Sequence, residues 1–190
     1  MELILASTSP YRRSLLERLG LEFQAVDPGV DESASKSLGL DPSMLTERLS
    51  VAKALAVLRR FPDATVIGAD QVAAIDDQIL GKPGSHEAAV EQLTRLSGRS
   101  HQLVTSTAVV QGETICTHLD ITIMTVRRLT RGEIERYLLA DRPYDCAGSY
   151  KVESRGIALF DSIRSEDHTA IVGLPLIAVS TLLRRLGFNI

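Results

Sequence analysis

The sequence predicts one α/β domain: a mixed, elongated sheet with helices on its flanks. Three observations point there. Short apolar runs alternate with segments of helical periodicity, the pattern of strand–helix–strand units. Two long β-type segments meet at the tight turn Gln111-Gly112-Glu113, which makes them an antiparallel hairpin. A sheet containing both kinds of connection is mixed. The 190 residues, 44% apolar, suit a single domain over 1–190 that buries roughly 70% of its unfolded surface.

The elements follow in order. Residues 2–7 form a strand. Ser9 then Pro10 start a helix, because Ser accepts from an unpaired N–H and Pro has none to leave unpaired. Leu15, Leu16 and Leu19 are its apolar stripe, and Gly20 ends it. Residues 22–26 are a short strand, and 27–40, rich in serine and glycine, read as a long loop. Pro42 opens a second helix to about residue 60, with Leu45, Leu49, Ala52, Leu55 and Ala56 at helical spacing, and Pro62 stops it. Residues 65–75 are a strand, 76–78 a turn, and Ser85 caps a helix to about residue 96. After the hairpin, Thr130 and Glu133 form a capping box for a helix ending near Ala140. Strands are expected near 150–152 and 156–162. Pro175 opens the last helix, which Gly187 ends.

Composition narrows the function. The net charge of −3 lacks the basic surplus expected of a nucleic-acid or membrane binder. The most apolar stretch, 170–183, is broken by Gly173 and Pro175 and falls short of a membrane span. The start, MELILASTSP, carries an acid and no basic flank, so no signal peptide is expected. Cys116 and Cys146 belong to no C-x-x-C pair and read as small core residues. Their spacing leaves a disulfide open, though nothing points to an oxidising compartment. His86, His101, His118 and His168 show no metal-ligand spacing and read as surface or loop residues.

Several segments carry chemistry. Ser7-Thr8-Ser9-Pro10-Tyr11-Arg12-Arg13 sits where a strand turns into a helix. Free N–H groups, the dipole, hydroxyls and two arginines there suit a phosphate. It is no Walker loop, since G-x-x-x-x-G-K-[ST] is absent. Asp70, in Gly68-Ala69-Asp70-Gln71, is a carboxylate in strand-like sequence, costly to bury unless paired or metal-bound. That makes it the foremost general base or metal ligand. Glu32, in Val30-Asp31-Glu32, is a second acid; two carboxylates with phosphate oxygens suit Mg²⁺. Lys82 is held between Gly81 and Pro83. With 17 arginines against four lysines, each lysine invites a question. Residues 147–153 mix small, aromatic and charged side chains, and Val172-Gly173-Leu174-Pro175 reads as a tight structural loop.

Read in order, LASTSPYRR, VDE, LSVAKA, IGADQV, GKP, CAGSYKVE and VGLP resemble the Maf family over essentially the whole chain. The resemblance implies a hydrolase that converts a nucleoside triphosphate to the monophosphate and pyrophosphate with a divalent metal, Mg²⁺ or Mn²⁺. It implies a fold related to the inosine-triphosphatase type, with a cleft between two lobes. It places Ser7, Arg12 and Arg13 in a triphosphate-binding loop. Glu32, Lys53, Asp70 and Lys82 fall in a polar catalytic cluster, Asp70 as proton acceptor, with Asp70 and Glu32 as the metal candidates.

The family divides at three specificity positions, here Tyr11, Gln71 and Glu153. The branch acting on dTTP and UTP typically carries Arg, Thr and Gln there, and this chain departs at all three. An aromatic, Gln and Glu resemble the branch acting on 7-methyl-GTP. The chemistry is consistent with that. A cationic N7-methylguanine on an aromatic ring gains about 0.5–2 kcal/mol, and a carboxylate can accept from the guanine N1–H and N2–H. The implied partner is a small nucleotide in the cytoplasm, with no nucleic-acid or membrane complex; a homodimer is compatible. A regulatory, septum-related role by partner binding is the alternative from another class, but a pure binder has no need of the acidic-basic cluster.

Overall fold

The computed structural model describes residues 1–76 and 78–190, so the turn expected at 76–78 lies partly outside the described residues at Asp77. Among the described residues, seven strands form one mixed sheet, in the order β2-β1-β3-β5-β6-β7 with β4 beside β3. The strands are β1 (Leu3–Ala6), β2 (Gln24–Ala25), β3 (Thr65–Ile75), β4 (Gln78–Leu80), β5 (Ser100–Gln111), β6 (Thr114–Val126) and β7 (Phe160–Arg164). The helices are α1 (Pro10–Glu17), α2 (Ser33–Lys36), α3 (Pro42–Leu58), α4 (His86–Leu96), α5 (Arg131–Asp141) and α6 (Leu176–Arg185). The chain divides into two compact units, 1–71 with 105–120 and 167–190, and 72–104 with 121–166. No described helix is long and apolar enough to cross a membrane.

In the first unit β1 runs parallel to both β2 and β3, with Leu3 opposite Thr65 and Ala6 opposite Gly68. Both faces of these strands are covered, which is why β1 reads as an unbroken apolar run. Leu3, Leu5, Ile67 and Ala69 pack with Leu15 and Leu16 of α1 and Val179 and Leu183 of α6. On the opposite face Ile4, Ala6 and Val66 pack with Ala54 and Val57 of α3. Gly68 lets α3 lie directly on β3. A Cβ there would overlap the Ser50 carbonyl oxygen and stand 2.8 Å from Ala54 N. The segment expected as a loop at 27–40 contains α2. Asp31 Oδ1 accepts from Ser33 N at 2.9 Å, and this local turn starts a helix too short to show periodicity.

In the second unit β4 returns antiparallel on β3, and β7 pairs antiparallel with β6. The capping box of α5 is present: Thr130 and Glu133 satisfy one another's backbone N–H groups. The strand expected at 150–152 is absent. Gly148 and Ser149 both have positive φ, at 76° and 65°, and break any ladder. The Tyr150 ring is buried instead, edge-on to Phe160 at 4.9 Å, with its hydroxyl 2.8 Å from His101 Nε2. Of the strand expected at 156–162, the part from Phe160 onward is present in β7, while Arg155–Leu159 form a 3-10 turn before it.

His101 is therefore a core residue of β5, not a surface one, and burial lowers its pKa to about 4. His86 opens α4 and ties it to α5 through Glu135 at 2.6 Å. Cys116 and Cys146 are free and half-buried rather than deep in the core.

Candidate active site

The first unit assembles a polar cluster on apolar scaffolding. Among the buried residues of α3, Leu45, Leu49, Lys53 and Val57 form one row, one residue per turn, beside Thr46, Ser50 and Ala54. Lys53 occupies an apolar stripe position, so its ammonium has to be satisfied where it points. It points at β3. Lys53 Nζ is 2.6 Å from Asp70 Oδ1 and 2.7 Å from Glu32 Oε1. The second oxygen of Glu32 takes Lys36 at 2.7 Å. Glu32 precedes α2 but makes no cap bond, which leaves its carboxylate for the two lysines.

The two carboxylates differ in character. Burial raises the pKa of Asp70, against the opposing pull of Lys53 and Arg12. Burial acts in the same sense on Glu32, but hydrogen bonds from Lys36 and Lys53 outweigh it and bring its pKa down to about 2. Two acids on one lysine thus have separated proton affinities, the arrangement that assigns a base and a permanent anion.

The loop from β1 to α1 lies in the same unit. Ser7 is buried, and its Oγ accepts from Ser9 N at 3.1 Å. Ser9 caps α1 by accepting from Arg12 N at 3.4 Å. Arg12 is half-buried, and its Nε donates to Gly173 O at 2.9 Å. Burial lowers its pKa, while the charges of Asp70 and Glu32 oppose the shift; the guanidinium stays protonated. Arg13, next to Arg12 in the first turn of α1, is exposed and pairs with Glu17 at 3.3 Å. Tyr11 is half-buried in the first turn of α1. Gln71 follows Asp70 and donates to Thr105 Oγ1 and Ala170 O, each at 2.8 Å. Lys82 and Glu153 belong to the second unit, where both are exposed.

Sequence reasoning missed Asp167 and Thr169. Both are buried. Asp167 accepts from Thr169 N and Oγ1 through one oxygen and from Ile177 N through the other. Thr169 Oγ1 accepts from Leu176 N at 2.8 Å. Together they cap α6 from outside, where Pro175 has no side chain to do it. The signal was an acid and a hydroxyl in the turn before a Pro-initiated helix. In the loop Val172-Gly173-Leu174-Pro175, the Gly173 carbonyl accepts from Arg12 Nε at 2.9 Å.

Divalent metal is testable against these residues. No group of three or more His, Cys, Asp or Glu is arranged to hold a metal among the described residues. Glu32 and Asp70 converge on the Lys53 ammonium. That is the number of carboxylates a hard cation takes from a protein when phosphate oxygens complete its shell. A cation carried in with a phosphorylated substrate would share these two carboxylates with Lys53 and Lys36.

A protein of Xanthomonas axonopodis pv. citri named 7-methyl-GTP pyrophosphatase is 56% identical over 188 residues, 99% of this chain and 98% of its own. A protein of the same name from Bordetella pertussis is 52% identical over 188 residues, 99% of this chain and 94% of its own. A solved dITP/XTP pyrophosphatase from Mycobacterium abscessus is a distant likeness, with 16% identity and a TM-score of 0.43 over 68% of this chain and 76% of its own. The family model described as Maf-like protein matches residues 2–186, a span that takes in every element from β1 to α6, and the chain belongs to that family.

Proposed function

We propose that this chain is a hydrolase that cleaves 7-methyl-GTP, with water, to 7-methyl-GMP and pyrophosphate, and so removes a modified nucleotide from the cytoplasm. The names of relatives at 52–56% identity over nearly full length support the activity. The observation that carries the chemistry is the buried Lys53 ammonium held between Asp70 and Glu32.

In this reading the triphosphate lies on the β1–α1 loop. Arg12 and Arg13, with the Ser7 hydroxyl and the N-terminus of α1, bind its oxygens. Asp70 takes a proton from the attacking water. Its raised pKa makes it a better base than an ordinary carboxylate. The water oxygen bonds to the α-phosphorus, and the bond from that phosphorus to the bridging oxygen breaks. Pyrophosphate leaves with the electron pair. Lys53 keeps Asp70 ionised and in place, and Lys82 supplies charge to the leaving phosphates. Glu32, ionised down to a pH of about 2, and Asp70 would hold a divalent cation. When bound, Mg²⁺ or Mn²⁺ neutralises charge on the phosphates. Tyr11 stacks on the cationic base and Glu153 accepts from the guanine edge, while Gln71 stands at the third of the specificity positions.

The test is a panel of 7-methyl-GTP, GTP, dTTP and UTP, with pyrophosphate and monophosphate quantified. 7-Methyl-GTP should show the highest kcat/KM, with no orthophosphate released. A preference for dTTP or UTP would overturn the base assignment and leave the pyrophosphatase reading standing. No turnover on any member would overturn both.

A further inference from the structure

We propose that Gln71 is a positioning residue for Arg12, acting through the turn at residues 170–173, and so governs the grip on the triphosphate itself. The inference rests on the triphosphate reading above. The side-chain amide of Gln71 meets three acceptors: Thr105 Oγ1 and Ala170 O at 2.8 Å, and Ile171 O at 3.2 Å. Two of these are carbonyls, which only accept, so the NH₂ end of the amide must face them. Thr105 Oγ1 in turn donates to Ala170 O at 3.0 Å, which frees its lone pairs to receive Gln71.

The chain of bonds continues to Arg12. Gly173 N donates to Ala170 O at 2.9 Å, closing the turn. Gly173 has φ of 109°, a conformation that strains any residue with a Cβ, and it aims its carbonyl at Arg12 Nε, 2.9 Å away. Both ends of the turn are anchored. Gln71 and Thr105 hold its start, while Asp167 and Thr169 tie the segment to the first N–H groups of α6. Gly173 O is therefore held in one place, and one edge of the guanidinium with it. The donors on the terminal nitrogens form the fork that a phosphate takes in bidentate fashion. A residue whose NH₂ is spent on backbone carbonyls acts on substrate largely through what those carbonyls hold.

This separates two roles that a substrate panel alone would merge. A residue reading the base changes discrimination between nucleotides. A residue positioning Arg12 changes the affinity for every triphosphate, including one with no base. Inorganic tripolyphosphate is the probe, its Kd measured by calorimetry on wild type, Gln71→Leu, Arg12→Ala and the double variant. Gln71→Leu should weaken tripolyphosphate about tenfold and raise KM for 7-methyl-GTP, GTP and UTP by a similar factor. In the Arg12→Ala background the same substitution should change Kd by less than about twofold, because the two act as a unit. A merely structural role would give additive losses. Should Gln71→Leu fail to fold, Thr105→Val deletes the hydroxyl shared by Gln71 and Ala170 and carries the same expectation. Unchanged tripolyphosphate binding in the variant, or additivity with Arg12→Ala, beside normal wild-type turnover, overturns this proposal alone. Wild-type protein that neither binds tripolyphosphate nor hydrolyses a nucleotide overturns the triphosphate reading and this inference with it.

Discussion

Lys53 and Asp70 meet at 2.6 Å between a helix and a strand that touch through a glycine. The pair is buried, and Glu32 reaches the same ammonium from the segment preceding α2. A carboxylate so placed is held ionised by its partner while burial pushes it toward the neutral acid. Asp70→Asn keeps the shape and the hydrogen-bonding size of the side chain but cannot take a proton. The variant should fold normally and lose about 10²- to 10⁴-fold in turnover. Pyrophosphate release measured beside circular dichroism checks this, and near-normal turnover by a folded variant would refute the base role.

Metal dependence follows from the same carboxylates. EDTA should abolish hydrolysis, and Mg²⁺ or Mn²⁺ should restore it, because carboxylate and phosphate oxygens prefer hard cations. Activity that persists in excess chelator contradicts the assignment.

The contact at Gly68 predicts a large effect from a small change. In Gly68→Ala the new methyl overlaps the Ser50 carbonyl, so α3 must move off β3. Overpacking of this kind costs about 1–3 kcal/mol or more. The denaturant midpoint should fall at constant m-value, and turnover should fall with it, because Lys53 rides on α3. An unchanged midpoint would mean that the two elements are not in contact in solution.

Base recognition is separable from phosphate chemistry. A hydrogen bond to a charged group is worth about 1.5–3 kcal/mol. Glu153→Gln should therefore lower kcat/KM for 7-methyl-GTP by roughly ten- to a hundredfold. Pyrimidine substrates should suffer much less. Equal losses on both classes count against a guanine-edge contact.

The buried His101 gives the second unit a pH signature. Its folded pKa of about 4 lies below the ordinary 6.5 because burial disfavours the imidazolium. The unfolded chain then takes up the proton first. Stability from this residue is complete above pH 6.5 and is lost as pH falls toward 4, on the order of 3 kcal/mol in all. His101→Gln, which can still bond Tyr150, should flatten the stability profile in that window. Thermal unfolding between pH 4 and 7 measures the slope, and identical slopes in the two proteins would sink the idea.

Much of this protein was legible in one dimension, where local chemistry decides the outcome. Ser9-Pro10 and Pro42 start helices because an N-cap acceptor and a residue without N–H suit those positions wherever they occur. The β3 span, the α4 span and the Thr130–Glu133 box follow from period and capping in the same way. Asp70 stood out because a carboxylate inside an apolar run is costly, and Lys53 because lysines are few in this chain and the Maf resemblance places it in the polar cluster. Tertiary structure alone decided what satisfies them: the Lys53–Asp70 bond joins residues 17 apart, and its length depends on Gly68 admitting α3 to the sheet. The same holds for residues 147–153. Their composition suggested a strand near Tyr150, but two consecutive positive φ angles and a ring seated against Phe160 and His101 overrode it. Histidine in an alternating segment reads equally well as exposed or buried, and only the neighbours packed against β5 settle which. The Asp167–Thr169 cap and the link from Gln71 to Arg12 were hidden for a related reason. Both run through backbone carbonyls and amides, which every residue carries, so their partners are set by where the turn at 170–173 lies and not by any side chain that marks it.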